Sequence, residues 1–363
     1  MSWRFFRYLK GQISSICMPL IEYSTYKPPR WLLNKQHLQT IIPSAFRKVS
    51  GVEYMRERIE IFDGDFLDLD WSFSSHHAPF GQYASKTTTP QNKSAITNPK
   101  LVVLSHGLEG SSDRTYMKGM AKAFNQQGYD ALAWNMRGCS GEPNRLERFY
   151  HHGATEDFGA VIDHVASLNR YTEIVLIGFS LGGNMTLKYL GEQGSQILPS
   201  IKKAVAISSP CDLLGSVPLL QYGKINRWYA QRFKRKIQDK VRIKAQKGII
   251  AHEKASKILK IKGLEELTET FVAPVHGFKD AEDYYVRNSS MYYLSAVKIP
   301  TLLLNAANDP MLSAECSPKA ICQSSAYVFL EVPQQGGHCG FMPSSSFGGL
   351  YWSEKRALEF ILS

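Results

Sequence analysis

One serine of the sequence stands among glycines in a way that suits nucleophilic chemistry. Gly178-Phe179-Ser180-Leu181-Gly182-Gly183 matches the pattern G-x-S-x-G and follows a run of β-branched residues. The glycines permit a sharp turn from strand to helix, which lifts the serine hydroxyl out of the sheet and aims backbone N–H groups at the same point. Ser180 is therefore the candidate nucleophile, and an ordinary glycine-rich turn is the alternative interpretation.

A serine nucleophile needs a base to accept its proton and a third group to orient that base. His338 lies in a glycine-rich loop after the last predicted strand and is the candidate base. Asp309 follows the predicted strand 301–305 and is the candidate orienting acid. Taken singly, each is typical of a loop. The order Ser180, Asp309, His338 is that of α/β-hydrolase triads, and this joint order favours the catalytic interpretation.

Acyl transfer also requires hydrogen-bond donors for the oxyanion that develops on the carbonyl. His106-Gly107-Leu108 ends a predicted strand, and Gly107 permits a close approach to the nucleophile. We expect the backbone N–H groups of Leu108 and Leu181 to form the oxyanion hole. His106 is then a structural residue.

Alternating strand-like and helix-like runs must position these residues. The predicted strands are nearly continuous in Val, Ile and Leu, which is typical of a parallel sheet covered by helices on both faces. They cover 101–105, 129–135, 173–178, 203–208, 301–305 and 327–332, and a hairpin over 58–73 precedes them. A mostly helical insertion interrupts the pattern before the strand that leads to Asp309. The fold class is therefore α/β, a mostly parallel sheet with an inserted helical cap.

Composition restricts the class of protein. Among 363 residues, 44% are hydrophobic and 21% are charged, which excludes collagen-like, coiled-coil and wholly disordered chains. No apolar stretch approaches the ~18 residues of a membrane-spanning helix. Six cysteines without a C-x-x-C pair favour a reducing compartment, so we expect a cytoplasmic protein. We divide the chain into an N-terminal extension (1–27) and one domain (28–363) that contains the inserted cap (211–290).

The excess positive charge is concentrated in that insertion. Fourteen Lys or Arg residues and two acids lie between Lys224 and Lys262, so this segment has a net charge of +12. The whole chain has a net charge of +11, so the rest of it is close to neutral. Apolar residues recur there at helical spacing: Ile225, Trp228, Tyr229, Phe233, Ile237 and Val241. One interpretation is a cap that covers an acyl pocket and contacts anionic membrane or acidic acyl carriers. The other is a solvated charged face. Nucleic acid is not predicted, because no known binding fold accompanies the charge.

The sequence from about Pro28 to Leu362 resembles the YheT-like α/β-hydrolases, a family that includes the mammalian abhydrolase lipases. The motifs that carry the resemblance are Pro29-Arg30-Trp31-Leu32, His37-Leu38-Gln39-Thr40, His106 to Ser111, Arg137 to Arg145, Gly178 to Asn184 and Gly337-His338. The resemblance implies a cofactor-free serine hydrolase of carboxylic esters, with Ser180, Asp309 and His338 at the triad positions. Where the family has Asp-Asp before proline, this chain has Asn308-Asp309, so the triad carboxylate is retained.

Other polar residues have structural interpretations. Arg137, Glu142 and Arg145 are expected to fix their loop through ion pairs rather than line the site. His151-His152 lacks diagnostic metal spacing, so no metal is assigned.

The overall expectation is hydrolysis of short- or medium-chain acyl esters or monoacylglycerol-like lipids. Acyl transfer to an alcohol and a noncatalytic binding protein on the same scaffold are the alternatives. No oligomeric state is predicted.

Overall fold

A nine-stranded sheet forms the centre of the computed structural model, which describes residues 19–74, 99–344 and 349–363. The strand order is β1-β9-β8-β7-β6-β4-β5-β3-β2, and of these strands only β3 runs in the opposite direction, antiparallel to both β2 and β5. The strands are β1 (Leu20–Ile21), β2 (Met55–Glu60), β3 (Phe66–Ser72), β4 (Lys100–Ser105), β5 (Tyr129–Asn135), β6 (Glu173–Phe179), β7 (Ile201–Ile207), β8 (Thr301–Leu304) and β9 (Val328–Glu331). The mostly parallel α/β sheet predicted from the sequence is confirmed.

Strand β3 shows how the hairpin differs from its sequence pattern. Its alternation of apolar and acidic residues predicts one solvated face, yet all seven of its residues are buried. Asp68 and Asp70 accept hydrogen bonds from Arg58 and Arg56 on β2, at 2.7 to 2.9 Å. These charge-assisted pairs compensate for the desolvation of the two carboxylates.

Helices cover both faces of the sheet. They are α1 (Gln36–Phe46), α2 (Thr115–Asn125), α3 (Thr155–Ser167), α4 (Leu181–Gln193), α5 (Leu213–Leu219), α6 (Lys224–Gln246), α7 (His252–Lys260), α8 (Leu264–Leu267), α9 (Ala273–Val275), α10 (Ala281–Asn288), α11 (Lys319–Gln323) and α12 (Trp352–Leu362). One core packs α3 and α4 against the sheet, through residues such as Phe158 and Leu187. The other packs α2 and α12, through Phe124 and Ile361. Within the described ranges, no helix has the length and apolar character to cross a membrane.

The chain leaves the sheet after β7 and returns at β8, and helices occupy the segment between them. A separate apolar cluster joins α6 to the helices that follow it, with Val241, Ile258 and Phe271 at its centre. The apolar stripe predicted for α6 is only partly buried, because Ile225 and Trp228 in its first turns are 42% and 48% exposed. The first turns of α6 thus present apolar side chains to solvent.

Two segments of the structure differ from the sequence-based expectations. Leu20–Ile21, assigned to the N-terminal extension, pairs in parallel with β9 at the sheet edge. Helix α1 carries Pro43 in its interior and lacks a side-chain N-cap, and the sequence patterns did not predict it. The loop expected over 74–100 lies mostly outside the described residues, as do residues 1–18.

Candidate active site

Ser180 occupies a strained turn between β6 and α4. Its backbone has φ 53° and ψ −121°, and its N–H donates to the Ile207 carbonyl at 2.8 Å. A non-glycine residue at positive φ is strained and is held there by its surroundings. The turn is too tight for a side chain at Gly182, where a Cβ would lie 2.4 Å from the Ser105 carbonyl oxygen. The glycines of the motif therefore permit close packing of this turn.

His338 lies between Ser180 and Asp309. Its Nε2 is 2.9 Å from Ser180 Oγ, and its Nδ1 is 2.8 Å from Asp309 Oδ2. The side chains of His338 and Asp309 are 12% and 1% exposed. Because β6, β7, β8 and β9 are successive parallel neighbours, the loops that follow β8 and β9 lie at the same sheet edge as the turn of Ser180, which follows β6. The structure thus brings the three residues predicted from chain order into one hydrogen-bonded line.

The second oxygen of Asp309 fixes the carboxylate. Asp309 Oδ1 accepts the Met311 backbone N–H at 2.9 Å, which leaves Oδ2 for the imidazole. A carboxylate on Nδ1 favours the tautomer in which Nε2 is free to accept a proton from the serine hydroxyl.

The two predicted oxyanion donors are available. Within the described residues, the backbone N–H groups of Leu108 and Leu181 donate to no protein acceptor. Gly107 lies against the nucleophile, since a Cβ there would be 3.1 Å from Ser180 Cβ. His106 is fully buried, with Nδ1 2.7 Å from the Gly107 carbonyl oxygen and Nε2 accepting the Met136 N–H at 3.2 Å. Burial lowers the pKa of His106 to about 3, so its neutral ring braces this loop.

Helix α1 supplies positioning residues that the sequence patterns did not identify. Gln39 Oε1 accepts from Asn308 Nδ2 and from the Gly336 backbone N–H, both at 2.9 Å. Thr40 Oγ1 accepts the His338 backbone N–H at 2.9 Å. One turn of α1 therefore holds the loops of both the acid and the base. Its residues belong to the His37-Leu38-Gln39-Thr40 motif, which was the available signal.

Two cavities meet beside Ser180, and Leu108 and Glu109 line both. The first is apolar and narrow, with a cavity volume of about 60 Å³. The insertion and the 149–152 segment form its walls, with Phe149, Leu267 and Phe271 among the lining residues. The second contains Ser180 and His338 and has mixed polar and apolar walls from α1, α2 and α6.

The remaining polar candidates have structural partners. Buried Arg137 pairs with Asp157 at 2.6 Å, and Glu142 pairs with Arg58 at 2.7 Å. Arg145 pairs with Glu60. These three residues fix the loop as expected.

The adjacent histidines His151 and His152 both line the first cavity. His152 Nδ1 is 2.8 Å from the Tyr284 hydroxyl, and burial lowers the pKa of His152 to about 3.

Asp280 and Asp283, which also precede His338 in the sequence, do not contact it. Asp280 caps α10 by accepting the Asp283 backbone N–H at 2.8 Å.

Comparison with known sequences and structures places the chain among hydrolases. A family profile described as alpha/beta hydrolase fold matches residues 100–345. The chain is 29% identical over 330 residues to YheT of Escherichia coli (strain K12), named as a candidate esterase, with 90% of this chain and 89% of that protein covered. It is 27% identical to the phospholipase ABHD3 of Mus musculus, with 88% and 73% covered. The monoacylglycerol lipase ABHD2 of Homo sapiens is 26% identical, with 71% and 64% covered.

Solved structures share the fold. An esterase of Pyrococcus furiosus superposes with a TM-score of 0.52 at 17% identity, covering 94% of this chain and 98% of that one. Est1E of Butyrivibrio proteoclasticus gives 0.51 at 14% identity, with 85% and 98% covered. The family profile spans the sheet from β4 to the loop of His338, and it includes the turn of Ser180. The chain therefore belongs to the α/β-hydrolase fold family.

Proposed function

We propose that the protein is a serine hydrolase that cleaves carboxylic esters through an acyl-enzyme. The observation that carries this proposal is the hydrogen-bonded line Ser180–His338–Asp309, which lies at the junction of two cavities. A hydroxyl at this strained turn contributes little to packing, and a base at 2.9 Å can accept its proton. The relatives named as phospholipase and monoacylglycerol lipase support the same class of reaction.

The proposed reaction begins when Ser180 Oγ attacks the ester carbonyl and His338 Nε2 takes the hydroxyl proton. The N–H groups of Leu108 and Leu181 stabilise the oxyanion, and each such donor is worth roughly 10²- to 10³-fold in rate. Asp309 stabilises the imidazolium, which then gives its proton to the departing alcohol. Water, activated by His338, hydrolyses the acyl-enzyme in the second half of the reaction.

The cavities suggest how the ester is oriented. The apolar cavity suits an acyl chain, and its walls come largely from the insertion, as expected of a cap over an acyl pocket. The alcohol portion then lies in the second cavity, with Ser180. We propose short- or medium-chain acyl esters, including monoacylglycerol-like lipids, as the substrate class.

Contact with an anionic membrane is a further part of the proposal. Ile225 and Trp228 are exposed in the first turns of α6, and Trp228 also lines the cavity of Ser180. Exposed Arg227 and Arg235 lie on the same helix. Apolar side chains beside basic ones are typical of helices that bind in the membrane interface.

Labelling with a fluorophosphonate probe tests the nucleophile. Ser180→Ala is expected to abolish labelling and to lower kcat/KM for p-nitrophenyl butyrate by at least about 10³-fold, while the melting temperature changes little. Ser44→Ala, a serine on the wall of the same cavity, is the matched control and should retain both activities. Labelling of the Ser180→Ala protein would assign the nucleophile to another residue.

Product analysis separates hydrolysis from its alternatives. We expect free acid as the product even when glycerol is added. A new glycerol ester as the main product would identify acyl transfer. Absence of labelling and of turnover in the wild-type protein would favour a noncatalytic binding protein.

A further inference from the structure

The cavity that contains Ser180 has four cationic side chains on its walls. Arg114 lies at the start of α2, and Arg232 and Lys236 are one turn apart on α6. Across the described residues, none of the three forms an ion pair with a carboxylate. Arg47, a fourth cation on the wall, is neutralised by buried Glu354. The cavity therefore carries positive charge that the protein does not itself compensate.

Glu109, the one carboxylate among the described lining residues, is already occupied. Its Oε1 accepts from Lys240 Nζ at 2.9 Å and from the Tyr150 hydroxyl at 2.8 Å. Its carbonyl oxygen accepts from both Arg114 Nη2 and Lys236 Nζ, each at 3.0 Å. Two like charges are thus held beside one oxygen atom, and Lys240 balances the Glu109 carboxylate.

The charges of Arg114 and Arg232 act unfavourably on the ammonium group of Lys236, and a bound anion would offset that repulsion. Burial lowers the pKa of Lys236, and the nearby charge of Arg114 lowers it further. Arg114 and Lys236 each have N–H donors beyond the single bond to the Glu109 carbonyl oxygen. The Arg232 guanidinium lies 5.5 Å from the centre of the Trp228 ring, a contact that does not use up its N–H donors. Guanidinium groups match phosphate and carboxylate geometry, and such charge-assisted hydrogen bonds are strong.

The location of the charge indicates which part of an ester it would contact. The apolar cavity and the cationic cavity adjoin, because Leu108 and Glu109 line both. An acyl chain in the apolar cavity leaves the alcohol portion beside the three cations.

We propose that the cationic cavity is a subsite for an anionic group, such as a phosphate, on the alcohol portion of the substrate, bound by Arg114, Arg232 and Lys236. This inference rests on the proposed ester hydrolysis and defines its substrate class more closely. The anionic alcohol can be a small phosphorylated polyol or the headgroup of a lipid.

Binding to the Ser180→Ala protein tests the subsite without turnover. Calorimetry should show that 1-butyrylglycerol 3-phosphate binds at least about tenfold more tightly than neutral 1-butyrylglycerol. Adding Arg232→Gln should remove most of that difference, because Arg232 has no carboxylate partner in the described structure. Arg235→Gln, on an exposed position of the same helix, is the control and should preserve the difference. Equal affinities for the two esters would overturn the inference.

Turnover measurements distinguish this inference from the proposed function. In the wild-type protein the ratio of kcat/KM for the phosphorylated ester to that for the neutral ester should exceed about ten, and Arg232→Gln should lower it at least about fivefold. Hydrolysis of both esters at equal rates would refute the subsite and leave the hydrolase intact. Tighter binding of the phosphorylated ester without any hydrolysis would refute the hydrolase alone.

A third arm separates recognition of a single phosphorylated molecule by the subsite from attraction of the protein to a charged lipid interface. If the preference holds for the monomeric butyryl pair, the subsite itself reads the charge. A preference confined to micellar dioctanoyl phosphatidate would instead reflect attraction to a charged interface and would overturn the subsite.

Discussion

Asp309 presents one carboxylate oxygen to His338 and the other to the Met311 N–H. An amide at this position can offer the imidazole an N–H in place of an acceptor, which disfavours the required tautomer. We therefore expect Asp309→Asn to lower kcat at least about 100-fold at neutral pH; the corresponding substitution in a serine protease costs about 10⁴.

Asp283→Asn is the matched control for that substitution. Asp283 accepts the Lys279 N–H near the start of α10, away from the triad, so we expect less than a tenfold change in kcat. A larger effect at Asp283 than at Asp309 would show that the acid is wrongly assigned.

Gln39 acts through other residues, and its effect should appear in kcat more than in KM. Gln39→Ala removes the acceptor shared by Asn308 and the Gly336 N–H, so the loops of acid and base lose their common support. We expect kcat to fall about tenfold, with a smaller change in KM. Gln39→Glu keeps the acceptor and should recover part of kcat. Lys35→Ala, on the exposed turn before α1, should leave both constants unchanged.

Helix α6 distributes its positive charge in three directions. Lys234 and Lys244 are buried, and their ammonium groups donate to backbone carbonyls such as Ile261 and Leu146. Lys236 and Lys240 donate to Glu109 beside the active site. Only part of the basic segment therefore forms a solvated surface, so its formal charge overstates what a membrane would meet.

Vesicle binding tests the outward-facing part of this helix. Replacing exposed Lys224, Arg227 and Arg235 with Gln should weaken association with phosphatidylglycerol vesicles at low salt by about 1 kcal/mol per charge. Hydrolysis of p-nitrophenyl butyrate should be unchanged, because these positions do not line the cavity of Ser180. Replacing exposed Lys254, Lys257 and Lys260 on α7 serves as a charge-matched control. Equal loss from both triple variants would indicate unspecific attraction, and no loss from either would indicate a merely solvated face.

The whole molecule encloses its site between a sheet with two buried faces and an insertion that adds its own apolar cluster. This enclosure buries neutral histidines, among them His106, whose pKa falls from 6.5 to about 3. The unfolded chain binds a proton at His106 below pH 6.5, whereas the folded protein does so only near pH 3. The contribution of His106 to stability is therefore full above pH 6.5 and decreases as the pH falls toward 3.

His106→Gln isolates this contribution. The free energy of unfolding of the wild-type protein should fall between pH 6 and pH 4 more steeply than that of the variant, by up to about 1.4 kcal/mol per pH unit. His252→Gln, at an exposed position, should keep the wild-type slope. Identical slopes for all three proteins in urea titrations would mean that His106 is not buried in its neutral form.

The sequence by itself determined the strands around the site and the order of the three site residues. Continuous Val, Ile and Leu runs predicted β4 to β9 to within about two residues, because a strand buried on both faces can hold little else. The glycines around Ser180 could also be interpreted from the sequence, because the tight turn leaves no room for side chains. These features depend on local constraints.

Only the tertiary structure decided the features that depend on distant partners. Gln39 and Asn308 are 269 residues apart in sequence and meet through one hydrogen bond, and no local pattern encodes such a pair. The basic residues of α6 could be counted from the sequence, but not which of them face solvent. Contacts with Glu109 and with backbone carbonyls decide which lysines are buried. Composition fixes how much charge a segment carries, whereas packing fixes where that charge acts.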